Sequence, residues 1–308
     1  MKNTLFPALV LFVLLGAMAI QAQPGMNGRT HVIMLGSGNP NPDPENAGPA
    51  VAVVVDDQAY IVDAGAGVVR RASAMSPRYG GQFAALAARN LTRLFLTHLH
   101  SDHTVGLADL ILTPWVMGRA QPLRIVGPEG TADMVHHIHE AYEADIHYRL
   151  YGEEPANDIG WRVDAQEVDE GVVYEDSLVR VEAFRVPHGS WPTAFGYRFT
   201  TPDRVVVISG DSRPSENLER YARDADVLVH EVYYTKGLEE GRRHAWRSYH
   251  HAHHTSTHEL GAIAARVRPK LLVLYHVLYW GAAEQDLLDE ISTVYDGNVV
   301  VGKDKGIY

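Results

Sequence analysis

A short H-x-H-x-D-H run, formed by His98, His100, Asp102 and His103, is the part of the sequence best suited to chemistry. It follows an apolar stretch, 91–96, that predicts a strand. His98 and His100 are two residues apart on an extended chain, so both side chains point to one side and can bind one metal ion. The next turn lets Asp102 and His103 reach a second ion. Neutral imidazole and carboxylate suit zinc and other first-row divalent ions, so the run predicts a metal site.

Three more residues of ligand type follow other predicted strands. They are His188, Asp211 and His276, which come after apolar stretches at 178–186, 205–208 and 271–275. Taken singly, each has an ordinary explanation, since a lone histidine is usually a hydrogen-bonded surface or core residue and Gly-Asp-Ser is a common turn. Three such residues at three strand ends are harder to attribute to chance, because loops at strand ends often carry function.

The pattern around these residues predicts a layered α/β domain. Early strands such as 51–55 and 59–62 are separated by Asp56-Asp57-Gln58, which indicates a hairpin. Later strands alternate with helices such as 259–267. This order favours two mixed sheets covered by helices on their outer faces. The acidic stretch 153–172 shows no regular period, and we expect it to be irregular.

A histidine-rich segment, 244–258, requires a separate interpretation. It contains six histidines, more than one loop would supply to a metal site: His244, His250, His251, His253, His254 and His258. We expect a solvated loop in which His250 and His251 are exposed. Trp246, Arg247 and Tyr249 form either a wall of the substrate pocket or ordinary packing, and the sequence does not separate these two alternatives.

Composition restricts the classes of function. The chain has 308 residues and no cysteine, so disulfide frameworks and thiolate zinc fingers are excluded. Its 27 Lys and Arg stand against 38 Asp and Glu, a formal net charge of −11. A strongly acidic protein repels polyanions, and on this ground we expect no nucleic acid partner.

The first 22 residues have the features of a signal peptide. Lys2 precedes an apolar run, 5–20, and Ala17-Met18-Ala19 offers a cleavage pattern of small residues. An uncleaved anchor is the alternative. We expect residues 1–22 to be removed, a single domain over 23–308, a periplasmic or secreted location, and no contact with the membrane after cleavage.

Taken together, these motifs resemble the metallo-β-lactamase superfamily. The similarity rests on Asp63-Ala-Gly-Ala-Gly67, the H-x-H-x-D-H run, and then His188, Asp211 and His276 in that order. A narrower resemblance is to the branch that holds ribonuclease Z and the bacterial arylsulfatases of that fold. It rests on 35–40 (LGSGNP), 187–189 (PHG), 195–198 (FGYR), His230-Glu231 and 254–257 (HTST).

The resemblance implies an α/β fold, the four-layer αββα sandwich, with two divalent ions at one edge. Carried over by position, His98, His100 and His188 hold one ion, Asp102, His103 and His276 hold the other, and Asp211 bridges them. Zinc is the expected metal, although manganese and iron accept the same ligands. The resemblance also implies that Glu231 and His254 cooperate near the leaving group, and Asp102 is counted as catalytic as well as a ligand.

The function expected from this comparison is hydrolysis of small sulfate or phosphate esters by a water that two metals activate. The expected partner is a small-molecule ester, and a homodimer is possible. Only 23 positions separate His188 from Asp211, which leaves no space for the long tRNA-binding arm of bacterial ribonuclease Z. The alternatives are a ribonuclease Z-type endonuclease, a lactonase or β-lactamase, and a periplasmic metal-binding protein without turnover.

Overall fold

The computed structural model of the protein describes residues 29–154, 156–240 and 244–308. The predicted signal peptide, residues 1–22, lies outside the described residues, so its cleavage and the export of the chain stay predictions. Within these described ranges, no helix is long and apolar enough to cross a membrane.

The first half of the chain forms a six-stranded mixed sheet in the order β1-β2-β3-β4-β5-β6. Its strands are β1 (Thr30–Gly36), β2 (Ala50–Val55), β3 (Gln58–Val62), β4 (Arg93–Phe95), β5 (Leu123–Gly127) and β6 (Val163–Glu167). The strands β1 to β3 pair antiparallel, and β3 to β6 pair parallel. The predicted hairpin at Asp56 and Asp57 joins β2 to β3.

The second half forms a seven-stranded mixed sheet in the order β13-β12-β11-β10-β9-β8-β7. Its strands are β7 (Gly171–Glu175), β8 (Arg180–Val186), β9 (Ala194–Thr200), β10 (Val205–Ile208), β11 (Val227–Tyr233), β12 (Leu271–Leu278) and β13 (Val299–Val301). The strands β7 to β10 are antiparallel to their neighbours, and β10 to β13 run parallel. Parallel pairs need crossover helices, which this half of the chain supplies.

Helices cover the outer faces of both sheets. They are α1 (Val68–Ala74), α2 (Ser101–Thr104), α3 (Leu107–Val116), α4 (Thr131–Ala141), α5 (Glu143–Tyr151), α6 (Glu216–Ala222), α7 (Thr235–Glu240), α8 (His244–His253), α9 (Thr257–Val267) and α10 (Glu284–Ser292). The start of α9 is fixed by a capping box. The Ser256 side chain accepts from the Glu259 backbone N–H, and the Glu259 carboxylate accepts from the Ser256 backbone N–H.

Three apolar layers confirm the predicted αββα order. Along β1, Val32 and Met34 pack between the two sheets, whereas Ile33 and Leu35 pack against the helices of the first sheet. This alternation follows from the two-residue period of a strand. A third layer lies between the second sheet and its helices, around residues such as Leu272. Both sheets are therefore buried on their two faces, which explains the nearly continuous apolar strands.

The expectation of an irregular stretch at 153–172 is wrong in part. Residues Val163–Glu167 form β6, which pairs with β5 along five residues, and β7 begins at Gly171. Both strands lie at the edges of their sheets. Several of their side chains are exposed, so they lack the apolar pattern of a buried strand.

Candidate metal centre

Strand ends bring the candidate residues to one edge of the two sheets. The positions are Asp63 after β3, His98 and His100 after β4, His188 after β8, Asp211 after β10, Glu231 within β11 and His276 within β12. The carboxyl ends of neighbouring parallel strands lie at the same edge of a sheet, which is where ligands of α/β proteins usually bind. With Asp102 and His103 of α2, the seven residues predicted to be metal ligands all converge there; Asp63 and Glu231 adjoin them.

The first group consists of three imidazoles. The Nε2 atom of His98 lies 2.9 Å from Nδ1 of His100, and Nε2 of His188 lies 3.2 Å from the same Nδ1 atom. All three ligand atoms lie within 4.8 Å of one another. His98 and His188 are buried, and His100 is half-buried. Three nitrogen atoms directed at one point could hold one divalent ion.

The second group combines two imidazoles with a carboxylate. The Nε2 atom of His276 lies 3.1 Å from Oδ2 of Asp102, and Nε2 of His103 lies 3.5 Å from the same oxygen. The ligand atoms of this group also lie within 4.8 Å of one another. The turn at α2 directs Asp102 and His103 toward His276, although the ring of His103 still lies 4.3 Å, centroid to centroid, from that of His98. This group could hold a second ion.

Asp211 lies between the two groups. Its Oδ1 is 3.4 Å from Nε2 of His103, and its Oδ2 is 3.6 Å from Nε2 of His276. The same carboxylate also lies within 4.8 Å of ligand atoms of His98 and His188. A carboxylate in this position can bridge two ions.

Asp63 anchors the metal-binding loop, a role that the sequence interpretation did not assign. Its Oδ1 accepts hydrogen bonds from the backbone N–H of Thr97 at 2.8 Å and from the Thr97 hydroxyl at 3.0 Å. Its Oδ2 is 2.8 Å from Nδ1 of His103. The Nδ1–H of His103 is thereby donated to Asp63, and Nε2 is directed toward Asp102 and Asp211. The position of Asp63 at the end of β3, before Ala-Gly-Ala-Gly, was the available signal.

His188 is oriented in a comparable way. Its Nδ1 lies 2.8 Å from the backbone oxygen of His253, so Nδ1–H donates and Nε2 is left to face His100. Hydrogen bonds of this kind fix the tautomer and the ring orientation of histidines that bind metals. Trp191 covers the group from one side, with its ring centroid 4.2 Å from that of His100.

The backbone at His276 has an uncommon conformation. His276 has φ of +47° and is the bulged residue between Tyr275 and Val277, which pair with consecutive residues of β11. Its N–H donates to the carbonyl oxygen of Ser37 at 3.1 Å. A bulge changes the direction of a side chain, and left-handed backbone at a residue other than glycine often marks a functional site.

Burial favours neutral imidazoles in the first group. Burial lowers the pKa of His98 well below its ordinary value and lowers that of His188 to about 4. Burial also lowers the pKa of His100. Histidine binds a metal in its neutral form, so these three residues need to lose no proton near neutral pH to bind an ion.

The second group attracts positive charge. Burial opposes protonation of His103, but Asp211 and Asp63 outweigh it and raise the pKa of His103 well above its ordinary value. Asp211 and Asp102 similarly raise the pKa of His276. The buried atoms His103 Nε2 and Asp211 Oδ1 have no hydrogen-bond partner among the described residues. A divalent ion would satisfy these atoms, so the residues fit a metal.

Glu231 and His254 form a buried pair beside the cluster. Oε2 of Glu231 lies 3.4 Å from Nδ1 of His254, while Oε1 accepts from the backbone N–H of Thr255 at 2.9 Å and of Ser212 at 3.3 Å. Burial raises the pKa of Glu231 well above its ordinary value and lowers that of His254 to about 4. Nδ1 of His254 is also 3.9 Å from Oδ2 of Asp211. The pair therefore adjoins the residues that could hold the ions.

A cavity of about 230 Å³ opens onto this cluster. Part of its lining comes from the candidate residues His100, Asp102, Asp211, His254 and His276. The aromatic residues Trp246, Tyr249 and Trp280 form another part of the wall. The predicted site residues therefore face a space that a substrate can enter.

The expectation of a solvated histidine loop is wrong for the loop and for His250, whereas His251 is exposed as expected. Residues His244–His253 form α8, and His250 is buried. The residues Trp246, Tyr249, His250 and His253 recur at helical spacing and share one face of α8, which places His250 beside the cavity. His251 is half-exposed and lies 2.8 Å from Glu239. The helical spacing of these aromatic and histidine residues was the signal in the sequence that could have predicted α8.

Comparison with known proteins agrees with this geometry. Residues 58–277 match the family described as Beta-lactamase superfamily domain. The chain is 34% identical over 277 residues to ribonuclease Z of Mycobacterium sp. (strain KMS), covering 89% of this chain and 93% of that protein. It is 31% identical over 278 residues to ribonuclease Z of Mycolicibacterium gilvum, at 89% and 93% coverage.

Two solved structures share the fold. The metallo-beta-lactamase fold protein YhfI from Bacillus subtilis has a TM-score of 0.67 and 20% identity, covering 91% of this chain and 99% of that chain. Human tRNase Z, short form, has a TM-score of 0.64 and 20% identity, covering 90% of this chain and 98% of that chain. These neighbours establish the architecture.

The relatives correct two expectations drawn from the sequence. A small sulfate or phosphate ester as the substrate, and the absence of a nucleic acid partner, are contradicted by relatives that are ribonucleases. The net charge was a poor guide to the substrate because it sums carboxylates over the whole chain, including Asp102 and Asp211 in the site. Phosphate binding depends instead on the local charge. The short interval from His188 to Asp211 misled as well, since a ribonuclease Z matches this chain over 93% of its own length.

One assignment follows from the shared architecture, the matched family domain and the 34% identity over 93% of a ribonuclease Z. The chain belongs to the metallo-β-lactamase superfamily, in the branch that contains ribonuclease Z.

Proposed function

We propose that the protein is a metal-dependent phosphodiesterase that cleaves RNA in the manner of ribonuclease Z. The observation that carries the proposal is the 34% identity to a mycobacterial ribonuclease Z over 93% of that protein. The arrangement of the candidate residues supports it, because their ligand atoms are grouped closely enough for metal ions beside a cavity.

Two sets of residues would hold two divalent ions, with zinc as the expected metal. His98, His100 and His188 would hold one ion, Asp102, His103 and His276 the other, and Asp211 would bridge them. Bound there, the ions would supply an activated water and positive charge opposite the phosphate oxygens. Asp63 and the carbonyl of His253 would keep the imidazoles in the tautomers that this binding requires.

His254 and Glu231 would handle the proton of the leaving group. Glu231 faces Nδ1 of His254, so Nε2 is the nitrogen left to donate its proton to the departing oxygen. Burial raises the pKa of Glu231, and its protonated carboxyl can give its own proton to Nδ1 as Nε2 loses one. Two backbone N–H groups hold the other oxygen of Glu231, which fixes the carboxylate relative to the imidazole. The departing group in RNA cleavage is a ribose oxygen, a poor leaving group that benefits from a proton.

The proposal is tested with protein loaded with zinc or manganese and a tRNA precursor that carries a 3′ extension, because a neighbour of the same fold is a tRNase Z. We expect an endonucleolytic cut that depends on metal. Bis(p-nitrophenyl) phosphate serves as a reporter of phosphodiester hydrolysis by the same protein.

The variants Asp211→Asn and His98→Ala should lose metal content and both activities together. Tyr79→Ala provides a matched control, since Tyr79 is 63% exposed and does not line the cavity at the cluster. Hydrolysis of the reporter without cleavage of a tRNA precursor or an unstructured RNA would overturn the assignment to RNA.

A further inference from the structure

The cavity at the metal cluster has an aromatic wall to which no role has been assigned. Trp246 and Tyr249 of α8 are 54% and 38% exposed, although both line the same cavity as Asp211 and His276. Large exposed aromatic surface is costly to keep in water, and its presence in a binding cavity indicates contact with a ligand. The two rings are one helical turn apart, so they belong to the same face of α8.

The two rings form a corner. Their centroids are 5.7 Å apart and their planes are 88° from parallel, so the edge of one ring meets the face of the other. One face of Tyr249 is already stacked on His253, with the centroids 4.0 Å apart. The more exposed indole of Trp246 therefore offers the larger free surface.

A third aromatic residue approaches from another part of the chain. Trp280 has φ of +45°, a conformation that a bulky side chain rarely adopts. Its ring packs against His250, with centroids 4.7 Å apart, and against Tyr233, with centroids 5.4 Å apart. Strained backbone at a cavity is typical of a residue held in place for binding.

The charges around the cavity indicate which part of a nucleotide fits there. Neither lysine nor arginine is found among the described residues that line it. A neighbouring cavity of about 630 Å³ shares Pro40, Asn41 and Asp102 with it, and that cavity contains Arg70 and Arg71. Arg71 is paired with Asp304, whereas Arg70 is largely exposed and lies 3.7 Å from Asp109, so Arg70 is the cation that the adjoining groove offers. The aromatic corner suits an uncharged, flat group.

Anchoring contacts hold α8 in position. Arg247 donates to the carbonyl oxygens of Leu238 and Glu239 at the end of α7, and His251 contacts the Glu239 carboxylate. Arg247 and His251 are four residues apart and share one face of α8, which is a different face from that of Trp246 and Tyr249. They leave Trp246 and Tyr249 directed at the cavity.

We propose that Trp246, with Tyr249 beside it, is a stacking platform for the nucleobase next to the scissile phosphate. The inference rests on the proposed cleavage of RNA and adds the group that positions the strand. The phosphate lies at the metal cluster, the base stacks on the indole of Trp246, and the edge of the base meets Tyr249. Stacking on an aromatic side chain tolerates every base, so the platform supplies affinity and position without sequence preference.

The platform is tested by competition with bis(p-nitrophenyl) phosphate hydrolysis in the metal-loaded protein. Adenosine 5′-monophosphate and ribose 5-phosphate differ by the base, so the ratio of their inhibition constants measures what the base contributes to binding. A stacked base changes affinity roughly 5- to 160-fold, equivalent to about 1–3 kcal/mol. We expect the nucleotide to bind about tenfold more tightly or better than ribose 5-phosphate.

Substitutions identify the ring that is responsible. Trp246→Ala and Trp246→Leu should reduce the ratio of the two inhibition constants to nearly one, whereas Trp246→Phe should retain most of it. The leucine variant keeps apolar bulk without an aromatic face, and Tyr79→Ala is a distant control that should leave the ratio unchanged. A purely structural role for Trp246 would alter the turnover of the reporter but not the ratio.

The proposed platform would be contradicted if the two inhibition constants were nearly equal in the wild-type protein. It would also be contradicted if their ratio were the same in the wild type and in Trp246→Ala. Equilibrium dialysis of the two ligands gives the same ratio without turnover, so an inactive variant is still informative. The proposed function fails independently, through absence of RNA cleavage in a protein that hydrolyses the reporter. The two failures are therefore distinguishable.

Discussion

Arg119 donates a hydrogen bond from Nη1 to the carbonyl oxygen of Leu110 at 3.0 Å. In a regular helix this oxygen would accept from the N–H of residue 114, but residue 114 of α3 is a proline and has no N–H. The guanidinium also donates to the carbonyl oxygens of Ile111, Leu91 and Gly160. Arg119 is fully buried, and all these acceptors are neutral.

Replacing Arg119 should be strongly destabilising. Arg119→Met leaves several buried carbonyls without a donor, each at a cost of about 1–3 kcal/mol, and we expect a loss of about 3–4 kcal/mol in the free energy of unfolding. Arg119→Lys should cost about 2 kcal/mol, because an ammonium group cannot reach the same acceptors in a planar fork. Urea denaturation followed by circular dichroism measures both values.

Pro114→Ala provides the control, because alanine restores an N–H to the carbonyl of Leu110. In that background, Arg119→Met should cost about 1 kcal/mol less than in the wild-type chain. Equal costs in both backgrounds would show that the hydrogen bond to Leu110 contributes nothing to stability.

Asp63 should control metal affinity without touching the metal. Asp63→Asn keeps the shape of the side chain and tolerates the local φ of +62°, but it weakens the acceptor that orients Nδ1 of His103. We expect a 10- to 100-fold loss in affinity for one ion, roughly as found for partners of metal-bound histidines. Competition with a chelator and metal analysis by mass spectrometry give this value.

Asp176→Asn is the matched control for Asp63→Asn, since it makes the same chemical change far from the cluster. It should leave metal affinity unaltered. Metal affinity that falls equally in both variants would indicate general destabilisation and would contradict the specific role of Asp63.

The metal motif was predictable because its information is local. The spacing of His98, His100, Asp102 and His103 after a strand fixes their relative directions. Their meeting with His276, which lies in the second sheet, follows from strand ends that share one edge of the two packed sheets. The αββα order was likewise predictable from strands that read as apolar runs next to helices.

Other features depend on contacts between distant parts of the chain, which no local pattern reveals. Arg119 contacts Leu91 and Gly160, and nothing in the spacing of these three residues predicts that contact. His250 is buried because α8 packs beside the cavity, where its ring contacts that of Trp280. The substrate class was misjudged because net charge describes the whole surface rather than one site.

His254→Ala should separate substrates by their leaving group. A ribose oxygen departs poorly without a proton, whereas p-nitrophenolate departs readily, so the loss of a proton donor affects mainly RNA. We expect about a 100-fold or greater fall in kcat for RNA and less than about a tenfold fall for bis(p-nitrophenyl) phosphate. Single-turnover cleavage of a labelled precursor gives the first value.

Metal content measured on the same preparations controls for indirect effects, because Nδ1 of His254 lies 3.9 Å from Asp211. Glu231→Gln should show the same selective pattern as His254→Ala, since Glu231 faces Nδ1 of His254. An equal fall on both substrates with unchanged metal content would remove the proton-donor role.

Asp176 joins the two sheets through one carboxylate. Its Oδ2 accepts from the hydroxyl of Tyr60 in the first sheet at 2.7 Å and from that of Tyr174 in the second sheet at 2.8 Å. Its Oδ1 accepts from the backbone N–H groups of Leu178 and Val179. Partial burial opposes ionisation, but these hydrogen bonds outweigh it and lower the pKa of Asp176.

This arrangement predicts how stability depends on pH. The folded pKa of Asp176 is below the unfolded value of about 3.9, so the ionised carboxylate stabilises the fold above that pH. The contribution is lost as the pH falls through the folded pKa.

We expect Asp176→Asn to lower the free energy of unfolding by about 2 kcal/mol at pH 7, as for several hydrogen bonds to a charged group. The difference from wild type should shrink below about pH 4. Urea titrations at pH 7, 5 and 3.5 measure the difference in the free energy of unfolding between the variant and the wild type. Asp57→Asn, at an exposed turn, is the control. A difference that is constant over this pH range would contradict the role of the ionised carboxylate.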